Sequence, residues 1–428
     1  MKLAVAMTLR LLSGAALALA DAADAHAKVP ADAYGLHSMV YSNAPSGFKD
    51  AMFREVAAIG ARDIRADLAF TQVILGSRGE RDWAAVDEYV GLARRYELQV
   101  TLVLLATPVW AADCPSPAAA AESYKCAPSD PAQFGEWAGE IARRTKGTIS
   151  HFEILNEPDH PDGYYGTPVQ YARTLVASYE SIKAANPRAR VLLGGIHKPV
   201  SDGWIARVLR VPGAGRSFDV ANVHIRGGLR SVGRQTRRWK AFFAAYGFTG
   251  PLWVTEHGYP ADPAYQTDPR FTGGERAQAR YLRASLPAIV RAGAAKVFVS
   301  LRDNLSGAFA SEGVLAGTVA DPPSPNPHII RKRSFYTLRA MIAERRGRDS
   351  NPRSACTDSG FQDRCIRPLC HPSGPPMMTV RRPWRAGDRT CSTASRSSGS
   401  TSVRRCCGCG TAVKGRRCSS FTGIRGPM

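Results

Sequence analysis

From Tyr34 to Glu344 the chain alternates short, continuous apolar runs with longer stretches whose apolar positions recur every three or four residues. The short runs predict strands over residues 35–42, 63–68, 100–107, 151–158, 190–196, 219–225, 251–259 and 296–301. Each is followed by a stretch of helical spacing, at 48–60, 83–97, 130–145, 167–185, 202–210, 233–247, 274–293 and 331–344. In the second of these, Val86, Val90, Leu92 and Ala93 mark the apolar stripe. Strands that are apolar throughout, rather than alternating, belong to a parallel sheet covered on both faces. Eight strand–helix units in about three hundred residues predict an α/β protein, a (β/α)8 TIM barrel. A doubly wound open sheet shares the alternation but carries a Gly-rich phosphate turn after its first strand. Here that turn runs from Tyr41 to Gly47 (YSNAPSG) and lacks the glycine pattern, so the barrel is preferred.

The two ends of the chain depart from the pattern. Lys2 and Arg10 give a short positive flank, Leu11 to Ala20 is apolar, and Ala25-His26-Ala27 offers the small residues of a cleavage site. This predicts a signal peptide over 1–27, a mature start near Lys28 and a secreted or periplasmic location. The apolar run is short for a bilayer span, so no stable membrane insertion is expected, with a retained anchor as the alternative. At the other end, residues 345–428 are rich in Arg, Ser, Cys, Pro and Gly and show no periodicity. That segment reads as out-of-frame or wrongly extended translation, or else as a disulfide module or basic tether, and is expected to be disordered. The barrel domain is thus placed at 28–344.

Charge and cysteine follow the same division. The formal net charge is +21, but residues 345–428 hold 17 Arg or Lys against four Asp, which leaves +8 for 28–344. A surplus of that size suits a soluble enzyme and does not call for nucleic acid as a partner. Only Cys114 and Cys126 lie in the body, flanking a Pro/Ala-rich loop. They are expected to form a small disulfide staple, two free thiols being the alternative. Among the remaining eight, Cys406-Cys407-Gly408-Cys409 lacks zinc-ribbon spacing. No cluster of ligand-bearing side chains in the body has metal-site spacing, so neither metal nor cofactor is expected.

The working side chains of a barrel stand where its strands end, on the C-terminal face. Glu157 closes the fourth predicted strand in Phe152 to Pro158 (FEILNEP), and Glu256 closes the seventh in Leu252 to Tyr259 (LWVTEHGY). A carboxylate facing a barrel mouth is costly unless paired or used, and either one alone would read as an ordinary ion-paired residue. Two of them across one mouth suit glycosidic bond cleavage by double displacement. One carboxylate then attacks the anomeric carbon; the other protonates the leaving oxygen and later activates water.

The triplet Asn156-Glu157-Pro158, joined to Thr255-Glu256-His257-Gly258-Tyr259 three strands on, resembles the clan A glycoside hydrolases. The body looks most like family 39 and family 5 enzymes, cellulase-like and exopolysaccharide-associated bacterial hydrolases among them, over residues 34–344. The resemblance implies a retaining hydrolase of a β-linked poly- or oligosaccharide, with Glu157 as acid/base and Glu256 as nucleophile. It implies that Asn156 meets the sugar 2-hydroxyl and that Arg65 keeps the nucleophile ionised. It places His224 near the nucleophile, with His37 and Trp110 lining sugar subsites. His224-Ile225-Arg226 departs from the family in lacking a tyrosine after the histidine, and the eighth strand ends without the usual tryptophan. Arg226 and Arg302 near the mouth hint at an acidic sugar. The competing reading is a catalytically silent barrel that only binds carbohydrate.

Overall fold

The strands form where the apolar runs predict them. In the computed structural model they are β1 (Tyr34–Tyr41), β2 (Asp63–Ala69), β3 (Gln99–Leu105) and β4 (His151–Ile154). The second half supplies β5 (Arg190–Leu192), β6 (Ala221–His224), β7 (Leu252–His257) and β8 (Ala294–Ser300). Apart from β5 and β6, all pair in parallel with their sequence neighbours, and β8 pairs with β1. Parallel bridges Leu192–Val220 and Ile196–Val223 join the β5 and β6 segments and close the barrel. The structure describes residues 30, 32–76, 79–304, 307–318 and 323–349; the expectations for a signal peptide and for the segment beyond Asp349 lie outside these.

Each strand is followed by a helix: α1 (Ser46–Ile59), α2 (Ala84–Tyr96), α3 (Pro131–Arg144) and α4 (Pro168–Ala185). Then come α5 (Trp204–Leu209), α6 (Leu229–Ala245), α7 (Gly274–Arg291) and α8 (Arg333–Asp349). Local chemistry sets the ends. Thr167 and Gln170 form a reciprocal capping box ahead of Pro168, and Asp130 caps the N–H of Ala132 ahead of Pro131. Helix α8 outruns the predicted boundary at Glu344 by five residues. Arg345 and Arg346 are good helix formers, and the Arg345 guanidinium lies 4.8 Å from the centroid of the Tyr34 ring, which holds the added turn to β1. Among the described residues no helix is long and apolar enough to cross a membrane.

The main core lies between the barrel and its helices, where Leu36, Ile64, Val100 and Val254 meet Phe53, Phe134 and Leu282. A second, small cluster of Leu192, Val220, Trp253 and Phe298 is separate from it. Strand alternation places these side chains opposite to Leu252 and Val254, inside the barrel. Gly35 is needed here, because a Cβ on it would come within 2.8 Å of the Phe298 ring. Between β3 and α3, Cys114 and Cys126 are disulfide-bonded with their Cα atoms 5.1 Å apart, as expected of the pair.

Candidate active site

Two backbone irregularities aim the carboxylates. The predicted strand over 151–158 stops at Ile154, because Leu155 (φ 62°) and Glu157 (φ 43°) adopt left-handed backbone. Such residues cost about 1–3 kcal/mol each and persist only where the surroundings fix them. Here Leu155 donates its N–H to the carbonyl of Leu104 (3.0 Å), and Asn156 bridges to Gly195. In β7 the register against β6 slips by one residue after Val254. Thr255 is the extra residue, so Glu256 stands opposite His224.

Arg65, 1% exposed, is the hub beneath both carboxylates. Its Nε and Nη2 form a two-point pair with Glu153 at 2.7 and 2.8 Å. Nη2 also donates to Asn156 Oδ1 (2.7 Å), and Nη1 donates to Glu256 Oε1 (3.1 Å) and to His37 Nε2 (2.9 Å). A guanidinium only donates, so His37 Nε2 accepts and its proton sits on Nδ1, 3.5 Å from Glu256 Oε1. Burial drives the His37 imidazole down to about 3, which keeps it neutral. The bond to Asn156 Oδ1 fixes that amide too, leaving its NH2 as the end without a partner among the described residues.

Glu157 Oε1 is held by two imidazoles, His224 Nδ1 at 2.7 Å and His197 Nδ1 at 3.1 Å. Burial would raise this carboxyl, but the hydrogen bonds and charge of His197 and His224 outweigh it and hold Glu157 well below the ordinary range. His197 is raised, chiefly by its hydrogen bond to Glu157. The loop after β4 delivers it: Asp159 accepts the backbone N–H groups of His197 (3.0 Å) and Lys198 (2.6 Å). Gly195 donates its N–H to Glu153 Oε1 (3.0 Å), and the His224 ring lies against its Cα, where a Cβ would fall 2.0 Å from Nε2.

Glu256 is 8% exposed and sits between two guanidiniums, with Arg226 Nη2 3.1 Å from its Oε2. His224 Nε2 lies 3.6 Å from its Oε1, so one imidazole spans both carboxylates. Burial would raise Glu256; His224, His37, Arg226 and Arg65 more than offset it, and the group is ionised. Arg226 is fixed in turn by Glu312 at 3.1 and 3.2 Å, which also accepts from Ser300 Oγ (3.0 Å). Potential ligand atoms of Glu157, His224 and Glu256 fall within 4.8 Å of one another, the one such trio among the described residues. A metal ion fits this trio poorly: Glu157 Oε1 already takes two imidazole donors, and the cation would sit beside two guanidiniums.

Above these groups opens a cavity of about 1210 Å³ including its solvent-filled mouth. His37, Arg65, Asn156, Glu157, Arg226 and Glu256 line it, with His224 directly behind the two carboxylates. Trp110 does not join them. It is partly exposed and, from the short turn Val109–Ala111, packs edge-on against Trp137 of α3, 5.7 Å between centroids. Arg302 is buried and gives its donors to the carbonyls of Met39 and Asp303, away from the lining. Sequence reasoning passed over Glu153, His197, Glu312, Asp67, Tyr41 and Phe309, all of which line the cavity or hold its walls. Phe309 stacks on Arg226 at 4.8 Å and stands on the β8 side, where the expected tryptophan is missing.

No family model and no curated protein sequence matches the chain. Solved structures do. A family 39 glycoside hydrolase from Bacteroides cellulosilyticus WH2 aligns at TM-score 0.54 and 16% identity, over 74% of this chain and 65% of that one. A family 39 β-xylosidase from Caulobacter crescentus aligns at 0.53 and 16%, over 74% and 73%. A family 1 β-glucosidase from Exiguobacterium antarcticum B7 gives 0.53 and 12%, over 75% and 99%. The fold is that of the clan A glycoside hydrolases. At these identities the clan A likeness is one of architecture, and this chain spans about two thirds of the Bacteroides structure's length. Its chemistry rests on its own side chains.

Proposed function

We propose that the protein is a retaining glycoside hydrolase acting on a β-linked oligo- or polysaccharide. The observation that carries the reading is the carboxylate pair. An oxygen of Glu157 and an oxygen of Glu256 lie within 4.8 Å of each other, joined through His224 and clamped by Arg65 and Arg226. Carboxyls about 5–5.5 Å apart suit double displacement, whereas inversion needs about 6.5–9.5 Å to admit a water. The architecture shared with clan A enzymes supports the same chemistry.

In this mechanism ionised Glu256 attacks the anomeric carbon while Glu157 protonates the leaving oxygen. Glu157 differs from acids that burial alone keeps protonated. His197, raised by its hydrogen bond to Glu157, holds the proton beside it, and the leaving oxygen draws that proton through Glu157 as negative charge develops there. Water then attacks the glycosyl–Glu256 ester, with Glu157 taking its proton. The Asn156 NH2 end would meet the sugar 2-hydroxyl, and Tyr41 and Phe309 would offer exposed rings for apolar sugar faces. The 114–126 disulfide fits an oxidising compartment and supports secretion or a periplasmic location.

Aryl β-glycosides with good and poor leaving groups test the reading. Glu256→Gln should abolish turnover of both. Glu157→Ala should lose at least about 100-fold on poor leaving groups and far less on dinitrophenyl substrates. Equal losses on both would reject the acid/base role, and binding without turnover by the wild type would favour a silent carbohydrate-binding barrel.

A further inference from the structure

The cavity's cations are all committed to protein partners. Arg65 serves Glu153, Asn156, Glu256 and His37; Arg226 serves Glu256 and Glu312. Arg302, the third arginine near the mouth, is bonded to main-chain carbonyls and does not line the cavity. The acids tell the opposite story. Asp67 follows Arg65 by two positions on β2, so strand alternation turns it into the barrel as well, about 6.6 Å nearer the mouth. It is 6% exposed, lines the cavity, and its carboxylate has no hydrogen bond or ion pair among the described residues. Its neighbour across the strand pair is Tyr41, whose half-exposed ring lines the same wall.

A buried carboxyl without a partner costs free energy that a donor from outside would recover. Burial, only partly opposed by Arg65, pushes Asp67 up to about 7. The space beside it also holds Glu157, Glu256 and Glu312. With Asp162 also in the lining, a sugar carrying a carboxylate would meet five acids in this cavity and no uncommitted guanidinium. A sugar presenting two adjacent hydroxyls would satisfy both oxygens of Asp67 while its apolar face rests on Tyr41.

We infer that Asp67 is the residue that selects the glycone, accepting two hydroxyls of an uncharged sugar and excluding uronic acids. This inference rests on the glycosidase reading and runs against the hint of an acidic substrate that Arg226 and Arg302 gave in the sequence.

The full chain is assayed on aryl β-glycosides of neutral hexoses and pentoses, of a hexosamine and of a uronic acid, as wild type and as Asp67→Asn. The expected result is kcat/KM at least 100-fold higher on a neutral sugar than on the uronide, with Asp67→Asn losing about 10- to 100-fold, mostly through KM. Because the carboxyl is unpartnered, Asp67→Asn should fold with an unchanged or higher Tm, and Asp67→Ala serves as a second variant. Removing the recognised hydroxyl from the substrate should cost the wild type at least tenfold and Asp67→Asn less than threefold, a contrast that a merely structural role would not produce. Preference for the uronide or the hexosamine, or an Asp67→Asn within twofold of wild type on every sugar, overturns the inference. If the wild type turns over no glycoside, the glycosidase reading fails, and equilibrium binding of the same panel decides the matter. Equal affinities of wild type and Asp67→Asn for the neutral sugars would then sink the Asp67 assignment by itself.

Discussion

Removing the guanidinium at the centre of the site should reveal how much of the barrel's stability depends on it. Arg65→Met keeps much of the volume but leaves Glu153, fully buried, with its charge supported among the described residues only by the Gly195 N–H at 3.0 Å. Breaking a buried pair from one side costs about 3–5 kcal/mol, a large part of the 5–15 kcal/mol by which a domain is stable. At roughly 2 °C per kcal/mol for a domain of this size, Tm should fall by about 6–10 °C. Glu153→Gln alone should cost a similar amount, since it strands the cation, although Glu256 still neutralises part of it at 3.1 Å. The double variant Arg65→Met/Glu153→Gln removes both charges and should recover about 2–3 kcal/mol relative to the sum of the singles. Urea denaturation at pH 7 with linear extrapolation measures all three. A coupling below about 0.5 kcal/mol would refute the claim that these groups act as one buried pair. Turnover should be lost in both variants that lack Arg65, because Glu256 then keeps only Arg226 as a charged clamp.

Three further outcomes follow from the geometry. Gly195→Ala places a Cβ 2.0 Å from His224 Nε2, so kcat should fall at least about 100-fold with secondary structure intact; activity within threefold of wild type would show that His224 has room to move. The His197–Glu157 contact should stabilise the fold only in a window of pH. His197 is raised, so its contribution is present below the ordinary imidazole value and lost as pH rises through the raised one; Glu157 is depressed, so its share is lost only in strong acid. His197→Ala should therefore cost up to about 1 kcal/mol near pH 6 and little at pH 9, and a loss independent of pH in urea titrations would contradict this. Replacing Cys114 and Cys126 together by Ser should lower stability by at most about 3 kcal/mol, the loop-closure limit for a separation of 12; an unchanged Tm under reducing conditions would confine the staple's effect to its own loop.

Much of this was legible along the chain. Periodicity located all eight strand–helix units, because every strand is covered on both faces and every helix on one. Position at the strand ends singled out Glu157 and Glu256. What the pattern could not convey was the path of each loop. Trp110 looked like a strand-end aromatic, yet the short turn Val109–Ala111 sets it against Trp137 of α3. Phe309 and Glu312 lie in the connection after β8, where no periodicity marks them, although both line the cavity. Glu153 read as one more strand residue, and only barrel closure sets it against Arg65 from 88 positions away. Asp67 was within reach: Asp63, Arg65 and Asp67, charged residues at alternate positions of an otherwise apolar strand, must share its inner face.

The reach of Arg65 along the chain has a kinetic consequence. Its partners stand 28, 88, 91 and 191 residues away, on segments belonging to the first, fourth and seventh strands. Contacts of such separation are made late, after loop closures have exacted their entropy. A chain folded only through β4 offers Glu153 and Asn156 to the guanidinium but not Glu256. The nucleophile's clamp therefore forms when the second half of the barrel docks on the first, and recovery of turnover during refolding times that closure and not the earlier gain of helix.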